Sequence, residues 1–146
     1  MRRFTGLRAW SARDWGNLVE STLLAIRVEA GLRLHPLPVL VSRLGRGTRR
    51  TAGPGSPGAD ECRRLARFAG MPYRHLPMPS SCLRESLVLY ALLRRRGAAA
   101  ELRIGVRKEG PALAAHAWVD HPGADAPDGR FGVLVPAAAS RRPRDH

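Results

Sequence analysis

Acidic residues are scarce in this chain: 12 against 25 lysines and arginines, for a formal net charge of +13. Lysine is nearly missing as well, since Lys108 is the one lysine among those 25. Such an imbalance suits nucleic-acid binding. No nucleic-acid-binding motif accompanies it, and an arginine-, alanine- and glycine-rich composition suits a GC-rich coding sequence equally. Nucleic acid is therefore not expected as a partner. A basic face that receives an acidic peptide or an acidic partner protein is expected instead. Aromatic side chains make up 5% of the chain. No run of about 18 apolar residues exists, which excludes a membrane-spanning helix. Met1-Arg2-Arg3 is basic, but the stretch behind it is broken by Arg8 and Arg13, so no secretory signal is read. There are two cysteines, Cys62 and Cys82, and no pair of Cys or His residues has metal-ligand spacing. No metal and no cofactor are expected, and two free thiols fit a reducing cytoplasm. No internal repeat is visible.

What is present is one domain's worth of chain with a hydrophobic content of 44%. Ser11-Ala12-Arg13-Asp14 reads as a capping box. Trp15, Leu18, Val19, Thr22, Ile26 and Ala30 follow at spacings of three and four, which predicts an amphipathic helix ending between Gly31 and Leu34. Pro36 and Pro38 break it, and a short helical piece is expected over Val39 to Leu44. Residues 1–44 thus form an N-terminal helical arm. Residues 45–58, rich in Gly, Pro, Arg, Ser and Thr, read as a flexible linker. Residues 59–136 form the candidate catalytic domain, and 137–146 a tail. A helix is expected over Ala59 to Ala69, with Cys62 in its apolar face and a stop at Gly70-Met71-Pro72. Ser81 reads as the N-cap of a second, largely apolar helix that begins at Cys82 and stops at Gly97. Alternation over Glu101 to Arg107 and Leu113 to Asp120 predicts two strands, with His116, Trp118 and Asp120 on one face of the second. A third strand is expected over Phe131 to Val135.

Cys82 opens a helix, and His116 lies 34 residues later in a strand. A helix start favours a thiolate through its dipole and its unpaired amides, and an adjacent imidazolium favours it further. The same amides can receive the oxyanion of a tetrahedral intermediate. His116 would take a proton during attack and return it to the leaving amine. A third group should hold the ring. Asp120 is about 13 Å along the strand from His116, too far to do so. Asp128 lies beside His116 if the second and third strands pair, and it is preferred over Asp125. Trp118 is expected against the His116 ring or the Cys82 helix, with its indole N–H as an extra donor. Ser81 and His75 are further candidates for contact with substrate. Each residue also has a plainer reading: a core thiol, a hydrogen-bonded strand histidine, a solvated loop histidine.

Cys82-Leu83, Ser86-Leu87-Val88-Leu89-Tyr90, Leu92-Leu93-Arg94-Arg95-Arg96-Gly97, Leu102-Arg103-Ile104-Gly105-Val106-Arg107 and His116-Ala117-Trp118-Val119 together resemble the leader peptidases of lasso-peptide biosynthesis. That group is similar to the C-terminal domain of the microcin-processing B protein, within the transglutaminase-like superfamily of papain-type folds. The resemblance spans Ser80 to about Val135. It implies an α+β fold, in which a central buried helix bearing the cysteine packs on a small antiparallel sheet. It implies a cysteine peptidase that cuts a ribosomally made precursor between leader and core. Cys82 would be the nucleophile, His116 the base and Asp128 the orienting acid. The implied partners are the precursor peptide, a small separate leader-binding protein and the ATP-dependent lasso cyclase. One departure stands out: the family tends to carry arginine where this chain has Glu85. Two other readings are kept: an acyl transferase of the transglutaminase kind, and a non-catalytic basic interaction module.

Overall fold

The first helix starts where its cap dictates. In the computed structural model, which describes residues 9–46, 57–124 and 132–136, α1 (Ala12–Leu34) begins after Ser11. Both halves of the capping box form: Ser11 Oγ accepts from the Asp14 amide at 3.2 Å, and Asp14 Oδ2 accepts from the Ser11 amide at 3.0 Å. The helix ends at His35, which Pro36 pushes into the extended region (φ −136°, ψ 150°). Pro36 then caps α2 (Leu37–Gly45), where Pro38 sits in the first turn and needs no N–H partner.

The face that α1 buries is not the one expected. Val19 is 56% exposed and Ile26 54%, while Asn17, Ser21, Leu24, Ala25, Val28 and Gly31 are buried. Close approach and ion pairing outweigh the count of apolar residues. A Cβ at Gly31 would collide with Leu40, so glycine lets α2 lie directly on α1. Asn17 and Glu20 each accept from Arg96 at 2.9 Å. Asp14 receives Arg64, and Glu29 receives Arg84 Nε at 2.8 Å. The polar residues flanking the buried stripe are thereby satisfied by α3 and α4.

α3 (Ala59–His75) also departs from expectation, continuing through Gly70-Met71-Pro72. Pro72 forfeits one hydrogen bond. Phe68, Ala69, Pro72 and Tyr73 are nevertheless buried at helical spacing, and the ladder resumes with the Leu76 amide on the Pro72 carbonyl at 2.9 Å. Tertiary packing overrides the local stop signal. α4 (Cys82–Arg95) follows an irregular segment, and Gly97 (φ +80°) takes the left-handed position just past its end. Leu87 to Leu93 are buried without interruption, which makes α4 the central helix. The core joins Leu24, Ala25 and Val28 of α1 and Leu40, Val41 and Leu44 of α2 to Leu65 of α3 and Leu87 and Leu92 of α4.

β1 (Glu101–Glu109) and β2 (Ala112–Asp120) form an antiparallel hairpin. Its two-residue loop, Gly110-Pro111, puts glycine at the first central position with φ +58°, as a type II′ hairpin needs. β3 (Gly132–Pro136) pairs antiparallel with β1, so the strand order is β2-β1-β3. The expected pairing of the second and third strands does not occur. β2 has already taken one edge of β1 through the tight hairpin, and the longer connection after Asp120 lets β3 reach the other edge. The strand argument that set Asp128 beside His116 therefore falls. Asp125 and Asp128 themselves lie outside the described residues.

Candidate active site

A thiol can serve as a nucleophile only if it is both reachable and held. Cys82 is exposed at the first position of α4, whereas Cys62 is fully buried in the core of α3. The helix start is set by Ser81, whose hydroxyl accepts from the Arg84 amide at 3.2 Å and from the Arg84 guanidinium at 3.3 Å. Arg84 in turn grips Glu29 through Nε at 2.8 Å and a second nitrogen at 3.3 Å. This forked contact ties the cysteine-bearing end of α4 to α1. It also holds the Glu29 carboxyl below its usual range, chiefly through the Arg84 hydrogen bond. The first helical bond of α4 is Glu85 N–H to the Ser81 carbonyl. The amides of Cys82 and Leu83 precede it and have no partner within the helix.

β2 lies along α4 and brings the imidazole. Ser86 Oγ donates to the Ala117 carbonyl at 3.0 Å, fastening the second turn of α4 to the residue after His116. His116 and Trp118 project from one face of β2 with centroids 6.1 Å apart and planes within 17°, a loose stack. Directly across from His116 on β1 is Gly105. Directly opposed residues share a face, so no side chain stands directly across from the imidazole, and Arg103 and Arg107 flank that glycine on the same face.

Cys82, His116 and Trp118 line one open cleft of about 500 Å³ between α3, α4 and β2. Glu85, Ser86 and Leu89 line it from α4, Ala117 and Val119 from β2, and Gly123 and Ala124 from the turn that follows. The α3 wall carries Arg63, Arg67 and Arg74. Glu85 stands one helical turn beyond Cys82, and its carboxylate accepts from Ser80 Oγ at 3.0 Å, joining the incoming loop to the helix. Ser81 and His75 are not among the lining residues: the Ser81 hydroxyl is spent on the cap, and His75 is exposed at the last position of α3.

The residues that sequence reasoning passed over had a signal. Ser86 follows Cys82 by four positions, so the helical period puts it on the same side. Arg63, Arg67 and Arg74 fall at intervals of four and seven, one face of α3. Gly105 had none, because its value depends on which residue of β2 lies opposite.

A cysteine at the start of a buried helix, with histidine on an adjoining strand of an antiparallel sheet, coincides with a family match over residues 23–135 to the model described as the transglutaminase-like superfamily. The chain belongs to the transglutaminase-like superfamily. No individual curated protein and no solved structure matches it. Transglutaminase-like domains are usually catalytic, as cysteine proteases or acyl transferases. The α+β architecture of this transglutaminase-like domain agrees with the fold read from its sequence. Among the described residues, no helix is long and apolar enough to cross a membrane.

Proposed function

We propose that this domain is a cysteine peptidase that removes the leader from a ribosomally made lasso-peptide precursor. The observation that carries the reading is the exposed Cys82 at the helix start sharing a cleft with His116. In this reading the Cys82 thiolate attacks the carbonyl at the leader–core junction, and the Cys82 and Leu83 amides receive the oxyanion. His116 protonates the leaving amine, and water then releases the leader from the thioester. An acid of the segment after β2 orients the ring, Asp128 before Asp125, by the resemblance alone. Trp118 limits how far the imidazole can turn. The cleft is open enough for an extended peptide. The precursor is presented by a small leader-binding protein, and the freed core amine goes on to the ATP-dependent cyclase.

The test combines the chain with precursor and leader-binding protein and follows both fragments by mass. Cys82→Ala should stop cleavage completely while its melting temperature stays close to that of the parent. Continued cleavage by that variant would end the proposal. A product mass short of one water would show transfer to an amine in place of hydrolysis.

A further inference from the structure

We propose that a second recess, between α1, α2 and α4, is a docking site for an acidic peptide segment of a partner protein. It holds about 470 Å³ and shares no lining residue with the Cys82 cleft. Its charge comes from Arg27 of α1, Arg43 of α2, Arg46 just past the end of α2 and Arg95 of α4, and its apolar part from Leu24, Leu44 and Ala91. Among the described residues no carboxylate lines it, and neither Arg27 nor Arg46 makes an ion pair. Arg95 reaches Glu20 at 3.4 Å, and Arg43 meets His35 at 3.1 Å. Four guanidiniums gathered from three helices repel one another, and a ligand of opposite charge relieves that repulsion.

α2 and α4 both arrive by their C-terminal ends, so no helix N-terminus there adds the amides and positive dipole on which phosphate sites are built, and the attraction for an anion comes from arginine alone. The choice of a peptide rests on the apolar part of the lining, which an inorganic phosphate cannot use. The donors are side-chain forks, which bind carboxylate and phosphate alike. The apolar residues between them suit an aliphatic side chain on the same peptide. The chain's own segments 1–8, 47–56 and 137–146 carry net positive charge in sequence, and the one net acidic segment, 125–131, is tethered at Ala124, which lines the Cys82 cleft, so none of them is taken as the occupant. The inference is independent of the catalytic reading: Cys82→Ala leaves docking intact, and the docking variants below leave Cys82 and His116 in place.

The full chain is titrated against a fluorescein-labelled peptide of alternating Glu and Leu, with tripolyphosphate as competitor. Saturable binding that weakens with added salt is expected. Arg27→Glu combined with Arg43→Glu should weaken it at least about tenfold. Arg46→Glu alone, at the exposed end of α2, should weaken it less and serves if the double variant does not fold. Lys108→Glu, on the hairpin, makes the same charge change as Arg46→Glu but elsewhere, and should leave binding nearly unchanged. Absence of peptide binding, equal loss with Lys108→Glu, or binding of tripolyphosphate with no binding of the peptide would each overturn the proposal.

Discussion

Single positions in this chain are governed by whether a polar atom finds a partner. The Ser21 hydroxyl is fully buried in α1 and has no hydrogen-bond partner among the described residues. Leaving a buried hydroxyl unsatisfied is costly, so Ser21→Ala should stabilise the fold, by up to about 1 kcal/mol. Thermal melts of the two proteins decide this; a clear drop in melting temperature would mean that the hydroxyl is bonded after all. Ser81 is the opposite case, with both of its acceptor contacts spent on Arg84. Its N-cap role was legible from sequence because caps are local: a serine, then a helix. Where that hydroxyl points was not, because its direction depends on the turn that it closes. The two cysteines separate on the same ground. Both sit in helices, yet Cys62 packs in the core and Cys82 faces solvent.

Elements meet here through a few directed bonds laid over apolar packing. α4 and β2 are joined by Ser86 Oγ and the Ala117 carbonyl, next to both candidate catalytic residues. Ser86→Ala should cost about 1 kcal/mol in stability. In the cleavage assay it should lower kcat more than it raises KM, since the bond sets the spacing of helix and strand rather than the fit of a peptide. A rise in KM with kcat unchanged would assign Ser86 to substrate contact. The strand pairing shows where element-level reading stops. Alternation located the first two strands to within a residue or two, and the third was expected within a residue of where it lies. Nothing in alternation says which edge a later strand joins, so β3 was expected on β2 and lies on β1. α1 shows the same limit: its length and cap were local, but its buried face was chosen by Gly31, Asn17 and the acids that meet arginines of other helices.

At the scale of the whole molecule, α1 is clamped to α3 and α4 by charge, and the clamp has a pH range. Hydrogen bonds from Arg64 first, then Ser11, hold the Asp14 carboxyl down from 3.8 to about 2. The Arg84 hydrogen bond lowers Glu29 from 4.5. Both groups bind a proton more readily when unfolded. Their contribution is present above the ordinary values and is lost as pH falls from about 4.5 toward 2. Burial raises Tyr73 from 10.0 to about 12, so its contribution is present below pH 10 and lost as pH rises through about 12. The melting temperature should therefore fall on both sides of a broad plateau, and Asp14→Asn should flatten the acid limb alone. An acid limb equally steep in that variant would remove Arg64 and Asp14 from the clamp. What the sequence determined by itself was what has a short reach: the caps, the helix starts, the strand positions, the lack of a long apolar run, and the candidate pair Cys82 and His116. These rest on backbone geometry and on contacts within a turn or a strand. The tertiary structure alone decided which face of α1 is buried, where α3 ends, the place of β3, the arginine wall of the Cys82 cleft and the second recess. Each of those depends on side chains from distant segments arriving together, and only packing of the whole chain brings them there.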